Sequence, residues 1–189
     1  HEGVKMKNRV PEGWEMRKLG DVIELAYGKG LKADERTGGD VPVYGSAGVV
    51  GYHNESLVEG PGIVVGRKGN VGSVFWSDED FYPIDTVFFV RTALSLHYVY
   101  YNLQAQNFIN NDAAVPGLSR NQAYLLDFIV PQSQIADGFE EIVNPIFQQL
   151  RNLRLRNDNL RRTRDLLLPK LVSGEVRVGN AEKFVAAML

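Results

Sequence analysis

A heptad pattern of apolar residues runs through the C-terminal part of the chain, from Ser133 to Val172. One heptad position holds Phe139, Ile146, Leu153, Leu160 and Leu167, and a second holds Val143, Leu150, Asn157, Arg164 and Leu171. Spacings that alternate between three and four residues are those of the d and a positions of a coiled-coil seam. At about 1.5 Å per residue, a continuous helix here would be roughly 55–60 Å long. The pattern therefore predicts one long coiled-coil helix whose apolar seam needs a partner.

The distribution of charge along this helix indicates how two copies would pair. Acidic residues lie near its start, whereas arginines are concentrated in its middle and later half. In a parallel pair, Arg156 would face Arg161 of the partner, and this contact is repulsive. Antiparallel pairing instead brings the acidic start beside the basic later half, so we predict a homodimer through antiparallel helices. The alternative is a helix that packs only on its own domain, with its arginines on a solvated face.

Two prolines and a glycine are expected to disturb or end this helix. Pro145 lacks a backbone donor and clashes with the preceding turn, so we expect a kink or a local break near residues 141–145. Pro169 is expected to loosen the last turn, and Gly174 is expected to end the helix.

Short apolar runs bounded by glycine precede the helix, and β-branched and aromatic residues dominate them. They predict strands at residues 22–27, 41–44, 49–52, 62–65, 71–76 and 86–91. Helical spacing predicts a helix over residues 94–110 and a short one over 14–21, and residues 28–40 and 113–121 are expected to form loops. We therefore predict an α+β protein: a small mixed domain at residues 11–131, the long helix at 132–174 and a tail at 175–189.

Composition limits the possible functions. The 189 residues are 44% hydrophobic, which is enough for a folded core. Residues 1–131 contain 12 Lys and Arg against 16 Asp and Glu, so the predicted domain is acidic. Because nucleic-acid-binding domains are usually basic, a role on DNA would need a local basic patch or a partner that contributes phosphate contacts. The chain has no cysteine and no apolar run near the length of a membrane span, so we expect a cytoplasmic protein without a membrane partner.

Four predicted loops carry the polar side chains that suit contact with DNA. Arginine can donate two hydrogen bonds to guanine, asparagine can form a bidentate pair with adenine, and lysine can neutralise phosphate. The candidates are Lys29, Lys32 and Arg36 in the first loop, Tyr44 and Ser46 in the second, Arg67, Lys68 and Asn70 in the third, and Ser119, Arg120 and Asn121 in the fourth. If the loops converge they would form a partly basic DNA-binding surface. Ordinary solvated turns are the alternative.

No motif for catalysis is present. The glycines at 66, 69 and 72 lack the Gly-Lys-Ser/Thr of a phosphate-binding loop, and the histidines lack a metal-like spacing. We therefore predict no catalytic residue, no metal and no cofactor. Two alternatives stay open: an assembly adaptor that does not read DNA, and an enzyme that uses Asp78, Glu79 or Asp85 with a metal.

Several segments together resemble the target recognition domain of type I restriction–modification specificity subunits. They are Pro11-Glu-Gly-Trp-Glu15, Leu19-Gly-Asp21, Tyr44-Gly-Ser-Ala-Gly-Val-Val-Gly-Tyr52, Gly60-Pro-Gly-Ile-Val-Val-Gly-Arg-Lys-Gly-Asn-Val-Gly72, Tyr82-Pro-Ile-Asp-Thr86, Ala114-Val-Pro-Gly-Leu-Ser-Arg-Asn121 and Leu167-Leu-Pro-Lys-Leu-Val-Ser-Gly-Glu175. The resemblance implies a non-catalytic subunit that recognises double-stranded DNA by sequence.

The family's usual subunit has two recognition domains and two conserved helices that pair antiparallel and set the gap between half-sites. The resemblance further implies that methyltransferase subunits dock on the helices and that a translocating endonuclease subunit can join them. With one domain and one helix, this chain is either a half-size subunit that dimerises or one half of a longer subunit. We expect Arg67, Arg120, Asn70 and Asn121 at base edges, and Lys29, Lys32 and Lys68 at phosphates.

Overall fold

The computed structural model describes residues 6–7, 10–108, 117–177 and 186. The chain forms two compact units, residues 1–141 and residues 142–189. In chain order the elements are β1 (Met6–Lys7), β2 (Val10–Pro11), β3 (Glu15–Lys18), α1 (Leu19–Val22), β4 (Ile23–Tyr27), a 3₁₀ turn (Ala33–Glu35), β5 (Val41–Gly45), β6 (Gly48–His53), β7 (Gly62–Gly66), β8 (Val74–Ser77), β9 (Tyr82–Pro83), β10 (Val87–Thr92), α2 (Leu96–Ala105), α3 (Arg120–Tyr124), β11 (Asp127–Val130) and α4 (Ser133–Val172). Mixed sheets followed by a long helix confirm the predicted α+β class.

A four-stranded antiparallel sheet, in the order β4-β10-β7-β8, organises the first unit. Successive side chains of a strand point to opposite faces, and here both faces are covered. Ile63, Val65 and Phe88 enter the larger core, which also receives α2 and α3 residues, whereas Val64 enters a smaller core on the other face. Burial on both sides explains why β7 appears in the sequence as an uninterrupted apolar run.

A smaller sheet in the order β6-β5-β9 accompanies the second core. Strands β5 and β6 form an antiparallel hairpin, and the two-residue strand β9 pairs with β5 in parallel. The register places Tyr44 opposite Val49 and beside Pro83. This hairpin brings the turn at residues 45–48 to the end of the larger sheet where β7 leads into its following loop.

The N-terminal segment differs from the prediction. Residues 14–21 were expected to form a short helix, but Glu15–Lys18 form β3, which pairs antiparallel with β11, and only Leu19–Val22 are helical. A strand partner distant in the sequence, β11, outweighs the weak local helical spacing. Strand β8 likewise begins at Val74 rather than Val71, because residues 71–72 form a turn in which Gly72 has a φ of 75°.

The first two turns of α4 pack on α2 within the first unit. Phe139 was predicted to lie in the coiled-coil seam, but its ring contacts the rings of Tyr98 and Tyr101 edge-on, with centroids 6.0 and 6.2 Å apart. One residue later, Glu140 accepts hydrogen bonds from the Ser95 hydroxyl and pairs with Nδ1 of His97 at 2.7 Å. Phe139 is therefore used for packing within the chain.

The 40-residue helix α4 has the predicted ends. It continues without a break through Pro145 and Pro169, so the local break expected near Pro145 is absent. Gly174, with a φ of 77°, follows the helix and donates its N–H to the carbonyl of Leu171, as expected of a C-terminal stop.

The predicted seam of α4 is largely exposed in the single chain. Val143 is buried, whereas Ile146, Leu150, Leu153 and Leu160 are 41–57% exposed. Asn157 and Arg164 are exposed as well, and Leu167 and Leu171 are half-buried. No helix in the described part of the chain combines the length and the apolar character needed to cross a membrane.

Candidate nucleic-acid interface

The loop after β7, residues 66–73, has a closely hydrogen-bonded backbone. Gly66 donates to the carbonyl of Ser73 at 2.7 Å, and Gly72 donates to the carbonyl of Gly66 at 2.8 Å. Gly72 needs to be a glycine for two reasons: its φ is positive, and a Cβ there would lie 2.6 Å from Cβ of Phe108. The loop is therefore held at both ends while it exposes Lys68 and Asn70.

Two other loops join this one through hydrogen bonds. The hydroxyl of Ser73 donates to the carbonyl of Ser46 at 2.8 Å, which links residues 66–73 to the turn at 45–48. The N–H of Leu118 donates to the carbonyl of Arg67 at 2.7 Å, and Lys68 forms a β-bridge with Gly117. Three segments that are far apart in the sequence thus converge at one end of the larger sheet.

The loop at residues 28–40 begins beside these three converging segments. Gly28 donates to the carbonyl of Val87, and Lys29 donates to the carbonyl of Pro83 at 3.0 Å. A Cβ on Gly28 would lie 2.1 Å from the carbonyl oxygen of Ile84, so this glycine permits a close backbone approach. We call residues 28–40, 45–48, 66–73 and 117–122 together the recognition loops.

Two of the three arginines of the recognition loops, Arg67 and Arg120, are held differently. Nε and Nη2 of Arg67 both donate to the carbonyl oxygen of Asp85, at 3.1 and 2.7 Å. The Cζ of Arg120 lies 4.9 Å from the ring centroid of Tyr27, and that of Arg67 lies 5.2 Å from the same centroid. Nζ of Lys68 lies 3.8 Å from a carboxylate oxygen of Asp85, and both side chains are about half exposed.

Most of the predicted DNA-binding side chains reach the surface of these loops. Lys29, Lys32, Lys68, Asn70 and Asn121 are exposed, whereas Ser46, Arg67, Ser119 and Arg120 are half-buried. The side chain of Ser119 caps α3 by accepting a hydrogen bond from the N–H of Gln122. That these residues contact DNA remains a prediction.

Tyr44 does not have the exposure that a DNA contact requires. Its side chain is only 8% exposed, its hydroxyl donates to the carbonyl of Trp76, and its ring contacts Phe81 edge-on. Tyr44 packs in the smaller core between two other buried residues of β5, which overrides the exposure that a glycine-rich turn suggested, so the assignment of Tyr44 to DNA binding is corrected.

Arg36 makes contacts that explain its position without DNA. Its Nη1 donates to the carbonyl of Val50 at 2.8 Å, and Nη2 donates to the carbonyl of Leu31 at 3.4 Å. Its Nε is buried and has no hydrogen-bond partner among the described residues. The side chain thus ties the loop at 28–40 to β6, and its contact with DNA stays a prediction.

Sequence reasoning missed two residues of this site. Tyr27 is the last residue of β4, and Asp85 supplies the carbonyl that holds Arg67. An aromatic residue just before the Gly-Lys-Gly at 28–30 is a local signal that could have identified Tyr27. No local sequence signal could have identified Asp85, because it binds Arg67 through its backbone carbonyl, which every residue has.

Among the described residues, no group of three or more His, Cys, Asp and Glu could hold a metal ion. His97 stacks on Trp76 with ring centroids 4.7 Å apart, and His53 contacts Tyr82 edge-on. Both histidines therefore have structural neighbours.

The sequence profile of the type I restriction modification DNA specificity domain matches residues 11–154. The chain belongs to this family. The chain is similar to the type I restriction enzyme HindI specificity subunit of Haemophilus influenzae, with 24% identity over 88% of this chain and 42% of the relative. The MjaIX specificity subunit of Methanocaldococcus jannaschii is 22% identical over 92% of this chain and 47% of the relative. The resemblance inferred from the sequence is thereby confirmed.

The fold of this specificity-domain chain is similar to a crystal structure of a type I restriction–modification S subunit from M. genitalium. The TM-score is 0.68 at 18% identity, over 90% of this chain and 48% of the other. The chain spans about half the length of the curated relatives it matches.

Proposed function

We propose that the chain recognises double-stranded DNA by sequence, as one half of the specificity function of a type I restriction–modification complex. The convergence of the recognition loops carries this proposal. They hold six basic and three acidic residues, although acidic residues outnumber basic ones in residues 1–131 as a whole. A local basic surface on an acidic domain gives the phosphate attraction that DNA binding needs. The names of the curated relatives, both specificity subunits, support the same function.

The side chains divide into two groups by chemistry. Arg120, Asn70 and Asn121 are assigned to base edges, because forked donors and amides can distinguish guanine and adenine in the major groove. Lys29, Lys32 and Lys68 are assigned to phosphates, which position the protein without reading sequence. Arg67 remains a candidate for a base contact, although two of its N–H groups are already donated to Asp85.

The chain itself is assigned no chemical step. Methyl transfer belongs in this proposal to methyltransferase subunits that dock on α4, and cleavage belongs to a translocating endonuclease subunit. Such partners would also contribute phosphate contacts, which fits the net charge of −2.

Helix α4 is proposed to hold two recognition domains at a fixed separation. Its exposed seam residues, Ile146, Leu150, Leu153 and Leu160, provide a surface for a second helix. The arrangement of acidic and basic residues favours an antiparallel partner, in a homodimer or in the second half of a longer subunit. In this proposal, either arrangement brings a second recognition domain, which reads the second half-site.

Selection from a pool of randomised duplexes tests the DNA-recognition proposal. The wild-type chain, alone and co-purified with a type I methyltransferase subunit, is expected to enrich one short sequence. Arg120→Ala should lose a bidentate base contact of about 1–3 kcal/mol and relax the preference at one position. Lys32→Ala should weaken binding to all sequences and lower the slope of log affinity against log salt by about one unit.

Arg91→Ala is the matched control for Arg120→Ala. Arg91 also lies over an aromatic ring, with its Cζ 5.0 Å from the Phe89 centroid, but it is near the opposite end of the β4–β10 ladder from Tyr27. The Arg91→Ala variant should enrich the same DNA sequence as the wild-type chain. Complexes that form normally while no form of the chain prefers any sequence would instead indicate an assembly adaptor.

A further inference from the structure

Among the described residues, Tyr27 is the aromatic side chain that both Arg67 and Arg120 of the recognition loops approach. It ends the edge strand β4, directly opposite Phe88 of β10. Its ring contacts that of the fully buried Phe88, with centroids 5.0 Å apart, yet Tyr27 itself is 51% exposed. The ring is therefore anchored to the core on one side and open to solvent elsewhere.

Two guanidinium groups meet at this ring. The Cζ atoms of Arg67 and Arg120 lie 5.2 and 4.9 Å from its centroid. Each cation is attracted to the electron-rich face of an aromatic ring, but two cations beside one ring repel each other. An electron-rich ligand, such as the acceptor atoms of a nucleic acid, would relieve that repulsion.

The two arginines differ in how many donors they have left. Arg67 is fixed by two hydrogen bonds to the carbonyl of Asp85 and also lies 5.8 Å from the Phe88 ring centroid. The guanidinium of Arg120 makes no hydrogen bond and no ion pair with the described residues, so its contact with Tyr27 orients it. All five of its N–H donors thus remain available to a ligand.

The backbone of Arg120 is fixed independently of its side chain. Arg120 is the first residue of α3, which Ser119 caps, and the neighbouring Leu118 donates to the carbonyl of Arg67. Only the long side chain needs orientation, and a planar guanidinium that rests on a ring loses less freedom when it binds.

We propose that Tyr27 is a positioning residue for sequence recognition: its ring holds the Arg120 guanidinium for a bidentate contact with a guanine, and Arg67 supports the same ring from the core side. This inference rests on the proposed function. It assigns base reading to Arg120 and a supporting role to Arg67, so the two arginines should not be equivalent in DNA selection.

The test repeats the duplex selection with Tyr27 variants of the full chain, co-purified with the methyltransferase subunit. Tyr27→Phe keeps the ring and should retain the wild-type preference. Tyr27→Leu removes the ring and should reduce the preference for guanine on the order of tenfold, at the same position that Arg120→Ala affects. The double variant Tyr27→Leu/Arg120→Ala should be no less selective than Arg120→Ala alone, because both changes remove one contact.

The two proposals fail differently. If the wild type enriches no sequence, the proposed function is wrong. If the wild type is selective but Tyr27→Leu keeps full stringency at every position, only the role of Tyr27 is wrong. An effect at a position that Arg120→Ala leaves unchanged, or an equal loss on all sequences, would also overturn it. Should Tyr27→Leu fail to fold, Tyr27→Thr, which suits the exposed end of a strand, is held to the same criteria.

Discussion

Single side chains in the first unit divide between the core and the recognition loops, and neighbouring residues can have opposite roles. Tyr44 and Ser46 are two positions apart, yet Tyr44 is buried and Ser46 lies at the contact with the loop at 66–73. Tyr27 and Phe88 are direct partners in the sheet, yet one is exposed and the other is fully buried. Residue type alone therefore does not decide which aromatic group can meet DNA.

Tyr98 provides a prediction at this scale, because burial raises the pKa of its hydroxyl above the usual 10.0, although a hydrogen bond with Asn102 partly opposes this. Its hydroxyl also donates to the carbonyl of Ile129 at 2.6 Å. The folded state binds the phenolic proton more tightly than the unfolded state does, so stability must fall as the pH rises through the ordinary tyrosine range. Tyr98→Phe should cost about 1 kcal/mol at neutral pH, from the lost hydrogen bond.

Urea unfolding at neutral pH and at about pH 10–11 measures this effect. The wild type should lose more stability between the two conditions than Tyr98→Phe does. Tyr52→Phe, at an exposed position, is the control and should follow the wild type. Identical losses in the wild type and in Tyr98→Phe would show that the hydroxyl of Tyr98 does not contribute to the alkaline dependence.

At the scale of elements, helices and strands with a strong sequence periodicity could be predicted, whereas the pairing of segments distant in the sequence could not. The heptad spacing identified Ser133–Val172, and runs of β-branched residues identified the strands of the larger sheet. The pairing of β3 with β11 joins segments more than a hundred residues apart, which no local pattern encodes. The same reason explains Phe139: its heptad position suggested a partner helix, whereas α2 of the same unit already contacts it.

The recognition loops were predictable by composition but not by geometry. Glycines with Arg, Lys and Asn marked segments that the structure brings together, and the hydrogen bonds that join them involve backbone carbonyls of Ser46 and Arg67. Backbone groups have no residue-specific signal. For that reason the sequence could not predict that Arg67 is held by Asp85 or that Arg120 rests on Tyr27.

Helix α4 gives a prediction at the element scale. If its exposed seam binds a second helix, Leu153→Glu buries an unpaired carboxylate there, at a cost of about 3–5 kcal/mol. Light scattering should find a dimer of the 21.1 kDa wild-type chain and a monomer of the variant at the same concentration. Leu155→Glu, which is equally apolar and exposed but off the seam, should remain dimeric.

A wild-type chain that stays monomeric at the highest attainable concentration would contradict the homodimer. The separation of two recognition domains would then require a second half within one longer chain. Equal disruption by Leu153→Glu and Leu155→Glu would instead show that the heptad seam is not the interface.

At the scale of the whole molecule, the proposed function pairs a negatively charged chain with DNA, which is also negatively charged. The net charge is −2, so attraction to DNA has to come from where the charges lie. The recognition loops collect basic residues at one end of the first unit, and partner subunits would contribute further phosphate contacts. Membership of the specificity-domain family is consistent with phosphate contacts shared between this chain and partner subunits.

Hydrogen–deuterium exchange of the wild-type chain, with and without its selected duplex, tests the location of the DNA-binding surface most directly. Slower exchange is expected in residues 28–40, 45–48, 66–73 and 117–122, with no change at the acidic turn 78–80. An unrelated duplex of the same length should give weaker protection of the same segments. Tight, sequence-specific binding that leaves these four segments unprotected, and protects other surfaces instead, would contradict the account.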